Sequence, residues 1–130
     1  QILCESGILP GALLQNVGRR FICDDVYLTA GTRRCPWTAQ VDRTVTVPIA
    51  HGEGRYVIDA EGLKALQDND QVAFRYTNAA GEPTAQANPN GSVDNIAGVL
   101  NAQGNVLGLM PHPERCTKDI LGGTDGLKIL

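Results

Sequence analysis

The alternation of apolar and polar positions is sharpest at Thr44-Val45-Thr46-Val47, and it predicts a strand over residues 43–50. Pro48 cannot donate to a ladder, so that strand must lie at a sheet edge or end there. Residues 20–29 hold Phe, Ile, Val, Tyr and Leu and predict a second strand, either regular or with a bulge at Asp24-Asp25. Residues 55–58 and 71–76 predict two more. Between them Asp59 is placed to cap a helix running to about Asp68, with Leu63 and Leu66 on one face. The apolar runs 96–100 and 106–110, joined by Asn101-Ala102-Gln103-Gly104-Asn105, predict a hairpin. Residues 1–6 read as the last turn and a half of a helix stopped by Gly7, with Pro10-Gly11 beyond. Thr124 is placed to cap a final helix that begins at Asp125. Residues 31–42 and 77–90 read as loops. Both ends therefore look cut, and no domain boundary or internal repeat is visible.

Composition narrows the classes. The chain has 130 residues, 42% hydrophobic and 19% charged, which is the range of one folded domain. No apolar run approaches the ~18 residues of a membrane-spanning helix, which leaves no expected membrane partner. Eleven basic and fourteen acidic residues give a net charge of −3, and the pairs Arg19-Arg20 and Arg33-Arg34 stand alone. No basic stripe offers itself to nucleic acid. The four cysteines, Cys4, Cys23, Cys35 and Cys116, form no C-x-x-C, so a zinc knuckle or a thioredoxin-type redox site has no support. The expectation is reduced thiols in a cytoplasmic protein, with Cys23 as a small core residue.

The chemistry concentrates at Met110-Pro111-His112-Pro113-Glu114. Each proline biases the residue before it toward extended geometry. In an extended chain, side chains two apart share a face, so His112 and Glu114 meet at the end of a strand. A carboxylate held against an imidazole fixes its tautomer and stabilises its protonated form, which equips it as a general base to a thiol or hydroxyl. The same residues would also make a solvated surface turn. A metal reading would add His51 and Glu53, but their spacing selects no ion. No cysteine lies in a tight strand-to-helix elbow. Cys4 belongs to a helix end, and Cys116 follows Glu114 by only two residues.

Three motifs in order carry a family resemblance. They are Ile49-Ala50-His51-Gly52-Glu53-Gly54, then Asn88-Pro89-Asn90-Gly91-Ser92-Val93-Asp94-Asn95-Ile96-Ala97-Gly98, then Asn105-Val106-Leu107-Gly108-Leu109-Met110-Pro111-His112-Pro113-Glu114-Arg115. Together they resemble the glutaminase subunit of phosphoribosylformylglycinamidine synthase, a class I glutamine amidotransferase, over essentially the whole chain. The resemblance implies an α/β, flavodoxin-like class I glutamine amidotransferase domain with a mainly parallel central sheet. Residues 1–130 would be the C-terminal part of that single domain, with its N-terminal part missing.

The resemblance further implies a Cys-His-Glu triad whose last two members are His112 and Glu114. Gln1-Ile2-Leu3 would be the tail of the nucleophile elbow, placing the catalytic Cys a few residues upstream. His51, Gly52, Glu53 and Gly54 would form a loop that helps hold glutamine; no metal site is implied. No cofactor is expected in this chain; ATP and Mg would be used by a partner synthetase subunit, joined by a small accessory subunit in the multi-subunit form. The expected function is hydrolysis of glutamine to glutamate and ammonia. The ammonia would feed ATP-dependent conversion of formylglycinamide ribonucleotide to the amidine in purine synthesis. Two alternatives stand beside it: a glutaminase domain fused to a single-chain synthase, and a non-catalytic assembly module. Asn90-Gly91-Ser92 would either face the partner subunit or simply make a turn.

Overall fold

The computed structural model describes residues 1–130. Two short elements open the chain, α1 (Ile2–Glu5) and β1 (Ala12–Leu14). The helix stops as expected: Gly7 takes φ +76°, a left-handed conformation that only glycine adopts at little cost, and its N–H bonds to the Cys4 carbonyl at 3.1 Å. Then follow β2 (Ile22–Ala30), a one-turn helix α2 (Pro36–Ala39) in the segment expected to be a loop, β3 (Val45–His51) and β4 (Arg55–Val57). The chain continues through α3 (Ala60–Asp68), β5 (Val72–Thr77), β6 (Ile96–Leu100) and β7 (Leu107–Leu109). Asp59 caps α3 as expected, its carboxylate accepting the Gly62 N–H at 2.7 Å.

Five strands form one sheet in the order β3-β2-β5-β6-β7, while β1 and β4 pair separately. Every pairing is antiparallel. This corrects the expectation of a mainly parallel sheet for these residues. Parallel neighbours need a crossover of a dozen or more residues, usually a helix packed on the sheet. The only helix here longer than about one turn is α3, and it joins β4 to β5, which belong to different sheets.

The sheet buries apolar groups on both faces. Leu28, Val45, Val47, Ile49, Phe74, Tyr76 and Leu100 form one cluster, closed by Val41, Cys35 and Ile129. Leu9, Tyr56, Leu66, Val72, Ile96 and Val99 form the other, beneath α3. Pro48 lies on edge strand β3, as its missing N–H requires.

Two local expectations fail. Cys23 is exposed rather than buried. β5 pairs only with Tyr27–Ala30, so the first half of β2 projects past it and carries Cys23, Asp24 and Asp25 outward. Of the two forms expected for β2, the regular one occurs, with an unbroken β2–β3 register; an irregularity lies in β5, between Val72 and Arg75. Finally, residues Asp125–Lys128 form a 3-10 turn that Thr124 does not cap with its side chain. Asp125 instead turns its carboxylate to the Thr46 N–H at 2.9 Å.

Replacing fully buried Leu28 by alanine should lower stability by about 2–5 kcal/mol. Asp59→Ala should cost only about 1 kcal/mol, the loss of one helix cap. Urea unfolding midpoints of the two variants, set against the parent, check both magnitudes.

Candidate active site

His112 leaves β7 on a segment that crosses to the opposite edge of the sheet. Its backbone N–H bonds to the Pro48 carbonyl at 2.8 Å, just after the Met110 N–H has bonded to the Ala97 carbonyl of β6 at 3.1 Å. Residues 110–112 therefore tie β6 to the free edge of β3, and His112 arrives near the end of the strand that carries His51. Pro113–Arg115 then turn in a 3-10 helix, with His112 before it at φ −110° and ψ 80°.

The expected His112–Glu114 pair is present: Nδ1 lies 2.8 Å from Oε1. The route differs from the expectation. His112 stops short of extended geometry at ψ 80°, and Glu114 reaches it by the 3-10 turn rather than by extended i, i+2 geometry. A carboxylate can only accept, so Nδ1 carries the proton and Nε2 is left available to take one. The His112 side chain is 30% exposed and Glu114 58%. They border a surface groove of about 310 Å3 lined also by Trp37, Leu109 and Pro111.

The loop His51-Gly52-Glu53-Gly54 is assembled around two asparagines. The Asn16 side chain, 1% exposed, donates to the His51 carbonyl at 2.9 Å and to the Arg20 carbonyl at 2.8 Å, and accepts the Gly54 N–H at 3.0 Å. Its own N–H bonds to the Gly52 carbonyl at 2.9 Å. From the other side, Asn90 Nδ2 lies 3.0 Å from His51 Nε2 and 3.3 Å from the Tyr76 hydroxyl. Ser92 Oγ accepts the Tyr56 N–H at 3.0 Å and lies 2.7 Å from Asn90 Oδ1. Asn90 and Ser92 are thus buried, and they brace the loop rather than face outward.

Gly54 is required by the packing. A Cβ there would lie 2.2 Å from His51 Cδ2. Glu53, by contrast, points into solvent, and no side-chain bond holds it. Gly54 also borders an apolar cavity of about 220 Å3, with Leu9, Tyr56 and Met110 among its walls.

Burial holds the His51 imidazole below the ordinary histidine range, and a positive charge on His112 lowers it further. Desolvation pushes the Tyr56 and Tyr76 hydroxyls upward. Burial likewise raises the Cys4 thiol, which lies 3.8 Å from the Pro10 carbonyl. All four cysteines are free: Cys35 and Cys116 are buried, Cys4 is partly so, and Cys23 is exposed. None is hydrogen-bonded to His112. No group of three or more His, Cys, Asp or Glu side chains is arranged to hold a metal ion. No helix is long and apolar enough to cross a membrane.

Of the residues singled out by motif, His112 and Glu114 pair with each other, and His51, Gly52 and Gly54 form the loop at the end of β3. The motifs did not point to Asn16, whose bonds to His51, Gly52 and Gly54 span more than thirty residues and leave no local signature.

The depressed His51 value has a sign for stability. An unfolded imidazole takes a proton near pH 6.5, while the folded one resists it. Stability contributed by neutral His51 is complete above that value and is lost as pH falls toward the folded value. Urea midpoints should thus drop between pH 7.5 and 5.5, and His51→Gln should flatten that dependence. Gly54→Ala should destabilise by about 1–3 kcal/mol through the forced displacement of the His51 ring, read as a lower thermal midpoint.

Comparison with known proteins matches residues 1–122 to the family model described as the CobB/CobQ-like glutamine amidotransferase domain. The chain is 58% identical over 132 residues to the phosphoribosylformylglycinamidine synthase subunit PurQ of Thermomicrobium roseum, covering 100% of this chain and 56% of the relative. It is 55% identical to the protein of the same name from Synechocystis, covering 98% and 58% respectively. The structure of PurLQS from Thermotoga maritima superposes with a TM-score of 0.82 at 44% identity, over 99% of this chain and 54% of that one. The chain spans about half the length of the curated relatives it matches. With the family model covering nearly all of its residues, the chain belongs to the CobB/CobQ-like glutamine amidotransferase family.

Proposed function

We propose that this chain is part of the glutaminase component of phosphoribosylformylglycinamidine synthase. The observation that carries the proposal is the His112–Glu114 pair, bonded at 2.8 Å and set beside a buried, glycine-bearing loop. The relatives named PurQ and the PurLQS structure supply the particular synthase.

In this reading a thiolate attacks the side-chain amide carbon of glutamine. His112 passes a proton through Nε2 to the departing ammonia, and Glu114 holds the ring in the Nδ1–H tautomer and stabilises its charged form. The resulting thioester is hydrolysed to glutamate, with His112 taking a proton from water. The backbone of His51-Gly52-Glu53-Gly54 borders the glutamine site. Glu53, which is exposed, acts there through its backbone.

None of the four thiols present suits the nucleophile's role, because none meets His112. We therefore place the nucleophile, and the parallel strands of a flavodoxin-like sheet, in the part of the full-length protein outside these 130 residues. The ammonia would pass to a synthetase subunit, accompanied by a small accessory subunit. That synthetase would use ATP and Mg to form the amidine of formylglycinamide ribonucleotide in the cytoplasm.

In the full-length protein assembled with its synthetase, His112→Ala should abolish glutamine-dependent synthesis, by roughly 100-fold or more. Synthesis from added ammonia should persist. Equal loss of both would assign His112 a structural role and overturn the proposal. The 130 residues alone should release no ammonia from glutamine.

A further inference from the structure

The bonds around Asn90 define the protonation of His51. The Ser92 backbone N–H donates to Asn90 Oδ1 at 3.1 Å, and a backbone amide can only donate. That fixes which end of the Asn90 amide is oxygen. The other end is therefore the NH2, and it faces His51 Nε2 at 3.0 Å. An amide NH2 cannot accept, so Nε2 must, and the ring proton of neutral His51 sits on Nδ1. Nδ1 is itself buried and finds no hydrogen-bond partner in the chain. His51 is 7% exposed and Asn90 0%, so both groups lie in the interior. The opposite tautomer would instead place two donors, Nε2–H and the Asn90 NH2, face to face.

We infer that Asn90 is a positioning residue: it acts through His51, locking that imidazole neutral with its proton on Nδ1 beside the His112–Glu114 pair. The fold leaves an N–H unpaired to keep this state, at the end of the strand whose Pro48 carbonyl receives the His112 N–H. A neutral ring keeps Nε2 as the acceptor of the Asn90 amide, which fixes the His51 side chain and the loop that ends at Gly54 beside it. The lock itself does not depend on the reaction. Its effect on turnover rests on the glutaminase reading above.

The test uses the full-length protein with nitrogen-15-labelled histidine. Ring nitrogen and carbon-bound proton correlations at pH 7.5 report the tautomer of each histidine, and the His51→Gln and His112→Ala variants assign the two signals. His51 should show protonated Nδ1 and bare Nε2. A protonated Nε2 would overturn the inference without any further variant. Asn90→Asp replaces the donor by a carboxylate that can only accept, so His51 should move its proton to Nε2 or become charged. An unchanged His51 pattern in that variant would also overturn it.

In the same variant kcat/KM for glutamine hydrolysis should fall roughly 10–100-fold. A normal kcat/KM alongside a switched tautomer would refute the positioning role. An unmodified protein that shows the expected tautomer but no glutaminase activity would refute the functional reading and leave the lock established.

Discussion

The open edge of β3 is the constraint on which the site depends. Pro48 offers a carbonyl but no N–H, and both its carbonyl and its nitrogen face away from β2. Left bare, this edge would expose unpaired backbone to other chains. It is covered instead by the last third of the chain. Pro48 receives the His112 N–H, Thr46 receives the carboxylate of Asp125, and the Cys116 thiol lies 3.4 Å from the Thr46 carbonyl. The covering segment is the one that bears the imidazole–carboxylate pair. Protecting an edge and delivering His112 to the end of β3 are thus one structural event.

The second requirement is polar and buried. Asn16, Asn90 and Ser92 together hold the chain from His51 to Tyr56 by hydrogen bonds to its backbone and to the His51 ring. Each such bond adds little net stability, about 1 kcal/mol, but removing one partner strands the other at about 1–3 kcal/mol. The arrangement therefore specifies a loop shape more than it deepens the fold. It also explains why Gly54 sits against the His51 ring, where any side chain would collide. His51 Nδ1–H and Arg55 Nε are the buried donors in this stretch that find no partner. The His51 ring lies close enough to His112 for a positive charge there to lower its proton affinity.

Much of the local structure was legible. The strand at residues 43–50, the Asp59-capped helix and the hairpin after residue 96 appear within a residue or two of their expected bounds, because each rests on periodicity, a cap or turn chemistry. His112 and Glu114 were legible because two prolines and a strand end restrict so short a segment. Their contact nevertheless forms through a turn that local reasoning did not foresee. The burial of Cys23 was misjudged, since its apolar neighbours gave no sign that β5 would stop short of it. The antiparallel pairing of these residues was not foreseen either, since strand direction follows from which segments pair.

By itself, then, the sequence determined the longer strands and α3 with its cap, the edge position of Pro48 and the chemical character of the His112–Glu114 pair. These follow from side-chain periodicity and from backbone restrictions that act over a few residues. Only the tertiary structure decided strand order and direction, the union of the two sheet edges through His112, and the bracing of His51 by Asn16 and Asn90. Those contacts join residues 35 and 39 positions apart in the chain. They arise from the need to satisfy buried polar groups and a bare sheet edge, a need that exists only once the chain has packed.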